Sequence, residues 1–384
     1  MKKLHCWCES QTRGASGRAI GDGSTDVPIQ EKGTEMRVAI LGAGAIAYGN
    51  AALMCQNGHD VILWSPSGRR TAAIATGAPL HSSGAVSGSY HPRIATSCAD
   101  ALAEAEAVVI AVPGYGHRFI IESAAPHVRD DQVIVFSSHL SFAALYLNQL
   151  LGERGIAVPI ATLATTVTTG RQTSLDTVYV GAIRALLDVA VIPKESTARG
   201  IEVCRTLFGD RFQQQTGLLA ISLSNLNPQN HLAIALCNLT RMELGEKWGQ
   251  NENITPAVAR FIEALDLERL AIAHAFGLNV RTVQEHFRLS NDVPLGTLHE
   301  MVQHRMQRPG PFGPTSLDSR YVTEDMPFGL APTISIAHIA GVKVPLHESG
   351  LCLMSALYGR DFAAENDILP SLGRLTREML AELG

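Results

Sequence analysis

A histidine four residues after an asparagine, set in a cluster of side-chain amides, is where proton chemistry is first suggested in this chain. The stretch SLSNLNPQNHLAIALCN places Asn225, Asn227, Gln229 and Asn230 just ahead of His231 in otherwise apolar surroundings. Histidine titrates near neutral pH, so it can give or take a proton where a hydride arrives or leaves. Asn227 and His231 share one helix face, and Pro228 between them must kink that helix or begin it. From position alone a structural reading is preferred, in which Asn227 caps a helix starting at Pro228 and His231 is a satisfied core residue. The other histidines offer less. His5 lies in a polar leader, His59 follows a helix end and His274 lies on a patterned helix. His299 and His304 are spaced i, i+5, about 140° apart around a helix, which is wrong for a zinc motif. Cys6 and Cys8 form a lone C-x-C in the leader, and no metal site is expected.

A second chemistry is phosphate binding. Gly42, Gly44 and Ala47 form G-x-G-x-x-A directly after the apolar run RVAIL. The first glycine permits a tight turn, the second lets the backbone approach a pyrophosphate, and the small third residue lets helix and sheet meet closely. The pyrophosphate is expected on the amides of Ala45 and Ile46, at the positive end of a helix. The next strand ends WSPSGRR, where NAD binding calls for an acidic residue. Ser65 stands in that place and Ser67, Arg69 and Arg70 follow, which favours a 2′-phosphate and hence NADP, with NAD as the less favoured cofactor. The alternative for Arg69 and Arg70 is that they solvate the start of the next helix.

These sites need an α/β unit to hold them, and the chain supplies one. RVAILGAGAIAYGNAALMCQNGHDVILWS (37–65) reads as strand, glycine turn, helix stopped by Gly58, and strand, a βαβ unit. Further strand-like runs follow at AVVIAV (107–112), QVIVF (132–136), VPIAT (158–162) and LLDVAVI (186–192), predicting a parallel sheet. After about residue 200 the apolar positions recur at helical spacing. One helix is especially well marked, with Thr255 as cap, Pro256 in the first turn, Val258, Ile262, Leu265, Ile272 and Phe276 on its buried side, and Gly277 at its end. RPGPFGP (308–314) reads as a rigid loop. The expected organisation is a disordered leader over 1–35, a Rossmann domain over 36–205 and an all-helical substrate domain over 206–384.

Composition limits the partners. The 384 residues suggest two or three domains, and with 46% hydrophobic and 17% charged residues the chain reads as globular. A net charge of -5 gives no footprint for nucleic acid or an anionic membrane. No apolar run reaches the roughly 18 residues of a membrane span, and no signal peptide follows Lys2 and Lys3. Seven cysteines without a C-x-x-C pair suit free thiols in the cytoplasm. A small-molecule partner is expected, with a homodimer left open.

From Met36 onwards the sequence resembles the opine dehydrogenases, the octopine, nopaline and N-(carboxyethyl)amino-acid dehydrogenase family, most clearly at SLSNLNPQNH (222–231), DLERLAIAHAFGLNV (266–280) and DSRYVTED (318–325). The resemblance implies an N-terminal Rossmann domain followed by a helical substrate domain. It implies NAD(P)-dependent reductive condensation of an amino acid with a 2-oxo acid, pyruvate or 2-oxoglutarate, through an imine, which is oxidoreductase chemistry at a CH–NH bond. By the same resemblance His231 is the proton donor and acceptor and Asp325 the carboxylate that orients it. Arg320 holds a substrate carboxylate and Asn227 contacts substrate. AVPGYGH (111–117), with Val112 and Pro113, lies beside the nicotinamide, and His117 within it reads equally as a loop residue. Where several members have a Pro-Gly-rich loop, this chain has FSSHLSF (136–142). Closure of the two domains over the substrates is expected.

Two other readings compete. A 2-oxo or 2-hydroxy acid reductase of ketopantoate-reductase or glycerol-3-phosphate-dehydrogenase type relies on a catalytic lysine, and only Lys194, Lys247 and Lys343 fall in the folded region, none in a convincing site segment. A non-catalytic NADP sensor would have no use for the paired His231 and Asp325.

Overall fold

The structure, a computed structural model, describes residues 35–306 and 310–384. The leader expected over 1–35, with His5, Cys6 and Cys8, lies outside the described residues except for Glu35, as do residues 308 and 309 of the expected loop.

Twelve strands are present among the described residues: β1 (Arg37–Leu41), β2 (Asp60–Trp64), β3 (Leu80–Gly84), β4 (Gly88–Tyr90), β5 (Arg93–Ile94), β6 (Ala107–Ile110), β7 (Val133–Phe136), β8 (Ile160–Leu163), β9 (Thr168–Ser174), β10 (Thr177–Ile183), β11 (Leu187–Ile192) and β12 (Phe212–Gln214). Eight form the main sheet in the order β12-β11-β8-β7-β6-β1-β2-β5. Strand β1 pairs in parallel with β2 and β6, Val38 standing opposite Val61 and Ala107. Both faces are covered, which is why these strands are continuously apolar. Val38 and Ile40 enter one core cluster, and Ala39 and Leu41 enter the other.

The main sheet is mixed and not wholly parallel as its strand-like runs predict. The run LLDVAVI contains β11, which is antiparallel to β8. The hairpin of β9 and β10 carries the chain out from the end of β8 and back, so the next strand enters from that same end and must run the other way. The hairpin belongs to a second sheet, ordered β4-β3-β10-β9, which the sequence pattern did not predict. Its strands TTGRQTS and TVYVGAI carry glycine and polar residues and lack a sustained apolar alternation. The main sheet also reaches past the expected boundary at 205, because β12 pairs with β11. FQQ, with one apolar residue, leaves no strand signature in the sequence.

The glycine turn leads into the helix Ala45–Gln56, which lies between the two sheets. Any Cβ at Gly49 would come within 2.8 Å of Thr168 Oγ1. Asn50 is fully buried, donating to Ser137 Oγ at 3.1 Å and accepting from Thr168 Oγ1 at 2.9 Å. Tyr48 donates its hydroxyl to the Arg70 carbonyl at 2.6 Å. Burial on both sides explains an apolar helix with no solvent face.

The rest of the chain is helical. Thr255 caps the helix Pro256–Ala275 by accepting from the Val258 amide, and Gly277 follows with φ 69, as the sequence predicts. Within that helix Asp266 and Arg269 are buried together. Asp266 Oδ1 accepts from Arg269 Nε at 2.9 Å and from Gln229 Nε2 at 2.8 Å, and its Oδ2 accepts the Val283 amide at 2.8 Å. The motif DLERLAIAHAFGLNV is therefore structural at these positions: it pins the neighbouring helix Asn227–Cys237. Among the described residues no helix is long and apolar enough to cross a membrane.

Candidate active site

The order of strands reverses direction between β1 and β6, and the glycine turn lies at that switch point. Gly42 has φ 140, and a Cβ there would stand 2.3 Å from the Ala111 carbonyl oxygen and 3.3 Å from a Val112 methyl. Only glycine fits so close to the end of β6. Gly44 precedes the helix without a side-chain cap, so the first amides, on Ala45 and Ile46, have no partner inside the helix. Ala47 is fully buried against the sheet. Pro113 caps the helix Gly114–Ala124, which follows β6. Ser65 is half-buried in the turn after β2, and Ser67, Arg69 and Arg70 are exposed there. Arg70 lies nearest the dinucleotide turn: its Nη1 is 3.9 Å from where a Cβ on Gly44 would be and donates to Gln172 Oε1 at 3.4 Å.

Opposite this turn a cleft of about 630 Å³ separates the sheet from the helices. Ile46 lines it from one side, and Asn227, His231, Arg320 and Asp325 from the other. His231 Nδ1 is 2.6 Å from Asp325 Oδ2. The His231 side chain is 17% exposed and that of Asp325 8%, so the carboxylate is shielded while the ring still reaches the cleft. Tyr321 stacks on the imidazole with ring centroids 3.6 Å apart and planes within 10°. Burial, then the charge of Asp325, pushes the Tyr321 hydroxyl up to about 12, so it stays neutral, and it donates to Gln250 Oε1 at 2.6 Å.

Pro228 begins the helix and does not kink it. The capping reading of Asn227 is also revised. Asn227 is the first helical residue, and its amide donates to Asn225 Oδ1 at 3.1 Å, which leaves its own side chain on the cleft. Asp325 is delivered by a different device. A short helix, Arg320–Thr323, runs into a π-helical turn, Met326–Leu330, whose Gly329 rests on Pro228; a Cβ there would be 2.3 Å from the proline Cγ. The two segments that carry the histidine and the aspartate are thus in backbone-to-ring contact.

Two residues in this arrangement escape the sequence reading although they lie inside DSRYVTED. Tyr321 is one. The other is Glu324, 5% exposed, whose Oε1 accepts the Gly114 amide at 3.0 Å while Oε2 accepts from Arg320 Nε. It joins the end of β6 to the arginine across the cleft. Burial pushes its carboxyl up, against the pull of Arg320. Acidic residues four apart from a basic one are common on solvated helices, so the spacing alone carried no signal.

His117 is helical and 1% exposed, which corrects the loop reading. Its ring lies edge-on to Phe136, and His139, also 1% exposed, lies edge-on to Phe136 and Phe142. Burial pushes His117 down to about 4 and His139, beside it, to about 3. Neither ring nitrogen of His139 has a hydrogen-bond partner among the described residues. Among the described residues no lysine lines the cleft, and no group of three His, Cys, Asp or Glu could hold a metal.

The comparisons with known proteins agree with this geometry. Residues 214–358 match the family model described as NAD/NADP octopine/nopaline dehydrogenase, alpha-helical domain, and residues 38–138 match that of ketopantoate reductase PanE/ApbA. An opine dehydrogenase of Arthrobacter sp. strain 1C is 31% identical over 87% of this chain and 94% of its own length. Among solved structures, octopine dehydrogenase in complex with NADH and agmatine superposes with a TM-score of 0.77 at 17% identity, covering 90% of this chain and 98% of that one. NADP+-bound yersinopine dehydrogenase gives 0.67 at 16% identity, covering 91% and 97%. The ketopantoate-reductase match stops at the nucleotide-binding strands, whereas the Arthrobacter relative spans both units. With its cleft, its paired histidine and aspartate and this full-length similarity, the chain belongs to the opine dehydrogenase family of oxidoreductases.

Proposed function

We propose that the chain catalyses NADPH-dependent reductive condensation of an amino acid with pyruvate or 2-oxoglutarate, through an imine, and the reverse reaction. The observation that carries this reading is the His231–Asp325 pair at 2.6 Å on the wall facing the dinucleotide turn. Asp325 on Nδ1 fixes the proton there and leaves Nε2 as the atom that exchanges protons with substrate. His231 protonates the departing hydroxyl as the imine forms, or the nitrogen as the imine is reduced. Tyr321 fixes the ring plane. Arg320, steadied through its Nε by Glu324, offers the remaining guanidinium edge to a substrate carboxylate, and Asn227 offers an amide beside it.

The glycine cradle fits a dinucleotide, since the space a Cβ at Gly42 would take is filled by the Ala111 carbonyl. Gly42, Gly44 and the amides of Ala45, Ile46 and Ala47 would hold its pyrophosphate, with Val112 and Pro113 beside the nicotinamide. When bound it supplies the hydride. Ser65, Ser67, Arg69 and Arg70 would receive the 2′-phosphate, and no acidic side chain in WSPSGRR repels it. The reducing cytoplasm is the compartment we assign, supported by free thiols at Cys55, Cys98, Cys204, Cys237 and Cys352.

The test is oxidation of NADPH and NADH with a panel of amino acids crossed against pyruvate, 2-oxoglutarate and glyoxylate, each also supplied alone. Consumption that needs both partners and prefers NADPH is expected. Turnover with an oxo acid alone would replace this reading by a simple 2-oxo acid reductase, and tight NADPH binding without turnover on any pair would replace it by a sensor.

A further inference from the structure

The cleft holds a second arginine. Arg184 follows β10 and lines the cleft with Asn225, His231 and Arg320. Its position is fixed from several sides. Its amide donates to the Val167 carbonyl at 2.9 Å, and its Nη1 donates to the carbonyl and hydroxyl of Thr166 at 2.6 and 3.0 Å. Arg211 Nη1 donates to its carbonyl at 2.9 Å. Among the described residues no hydrogen bond occupies its Nε or Nη2, and no carboxylate pairs with it.

Among the described residues three acids line the cleft, and none of them forms an ion pair with Arg184: Asp318 acts on Tyr358 and Arg360, and the other two have partners of their own. Glu324 binds Arg320 and Asp325 binds His231. Asp188, which together with Arg184 and Arg281 sets the potential at His286, is held by Arg281 through two contacts of 2.8 Å. Burial pulls the Arg184 guanidinium down to about 10, so it is still protonated at neutral pH. A cation so placed, in a cleft also lined by Thr165, Thr166 and Thr169, is complementary to an anion.

Its place in the sheet says which anion. A dinucleotide enters at the β1/β6 switch point, whereas Arg184 lies just ahead of β11, which is four strand spacings or roughly 19 Å from β1. That is the substrate side. The oxo carbon has to lie next to the nicotinamide end at Pro113 and Gly114, whose amide Glu324 ties to Arg320. The carboxylate on that carbon falls to Arg320. The other half of the imine extends toward β8 and β11.

We propose that Arg184 receives the α-carboxylate of the amino-acid substrate, leaving Arg320 for the carboxylate of the oxo acid. This rests on the function proposed above and adds a specificity determinant to it: an α-amino acid, and not a simple amine, is the nitrogen donor.

The experiment is steady-state kinetics of the full chain with the amino acid and oxo acid turned over best, using Arg184→Gln and Arg184→Lys and, as second nitrogen donor, the amine that is the decarboxylated form of that amino acid. In Arg184→Gln the KM for the amino acid is expected to rise roughly 30-fold or more, on the scale of a lost charge-assisted hydrogen bond. The KM for the oxo acid and the Kd for NADPH should stay within about twofold, since neither ligand meets Arg184 in this arrangement. The wild type should prefer the amino acid strongly over the amine, and the Gln variant should lose that preference. Arg184→Lys keeps the charge and a donor for Thr166, so it guards against a folding defect in the Gln variant; an intermediate rise confined to the amino acid is expected. An unchanged preference for acid over amine, or a rise in the KM for the oxo acid instead, overturns the assignment. Failure of every pair to oxidise NADPH in the wild type would overturn the functional reading and this inference with it, a result distinct from activity that is insensitive to Arg184.

Discussion

The sheet side and the helical side of the cleft are built from different material. At the dinucleotide turn on the sheet side the working groups are backbone: free amides at the start of the helix Ala45–Gln56, brought close by Gly42. On the helical side they are side chains, His231 and Asp325, 94 residues apart in sequence and set in place by the contact of Gly329 with Pro228 and by the buried pair of Asp266 and Arg269. The turn is intolerant of added atoms and indifferent to side-chain chemistry. The helical side tolerates changes of shape at its edges but depends on which titratable group stands at each position.

The largest expected effect breaks the chemical side alone. His231→Ala should lower kcat by about 10²- to 10⁴-fold, the usual weight of a positioned acid and base, while NADPH affinity measured by fluorescence stays at the wild-type value. A parallel loss of cofactor binding would mean that the two sides are not separable. Next comes the converse. Gly42→Ala forces a Cβ to within 2.3 Å of the Ala111 carbonyl at a φ that alanine resists, so NADPH affinity should fall about 100-fold or more while His231 and Asp325 stay paired. Titration of the histidine by NMR in that variant would check the second half of the statement.

How far the two sides could be read in advance follows from the same difference. The glycine turn is contiguous, and its steric demands are written into G-x-G-x-x-A. The helix Pro256–Ala275 was equally legible, since its cap, its apolar stripe and its terminating glycine are local features. His231 and Asp325 were found through family resemblance, because no local rule connects residues 94 positions apart. Tyr321, Glu324 and Arg184 matter through what they face across the cleft, and a sequence does not show facing. The β9–β10 hairpin was missed because its strands cover a helix with mixed polar residues, and β12 because three residues are too few to show a period.

The smallest effect concerns the two titratable rings buried on the sheet side. His117 and His139 are held well below the ordinary histidine value, near 4 and 3, by burial. The unfolded chain therefore binds protons that the folded one refuses between about pH 6.5 and those values, so stability is complete above pH 6.5 and declines as the pH falls. His139→Phe removes a ring that has no hydrogen-bond partner and lies among Phe136 and Phe142. Urea unfolding at pH 7 should show equal or slightly greater stability for the variant. At pH 5 its advantage should grow to the order of 1–2 kcal/mol. An unchanged pH slope would show that His139 accepts a proton in the folded chain.

The position of the helix Ala45–Gln56 between two sheets has a thermodynamic consequence for the cofactor. A phosphate-binding turn on a surface helix has conformational freedom to lose when its ligand arrives. Here Asn50 is hydrogen-bonded on both sides and Tyr48 is tied to the chain beyond β2, so the amides are ordered before any ligand comes. Association at this turn then carries little ordering entropy, and calorimetry should find its favourable enthalpy largely uncompensated.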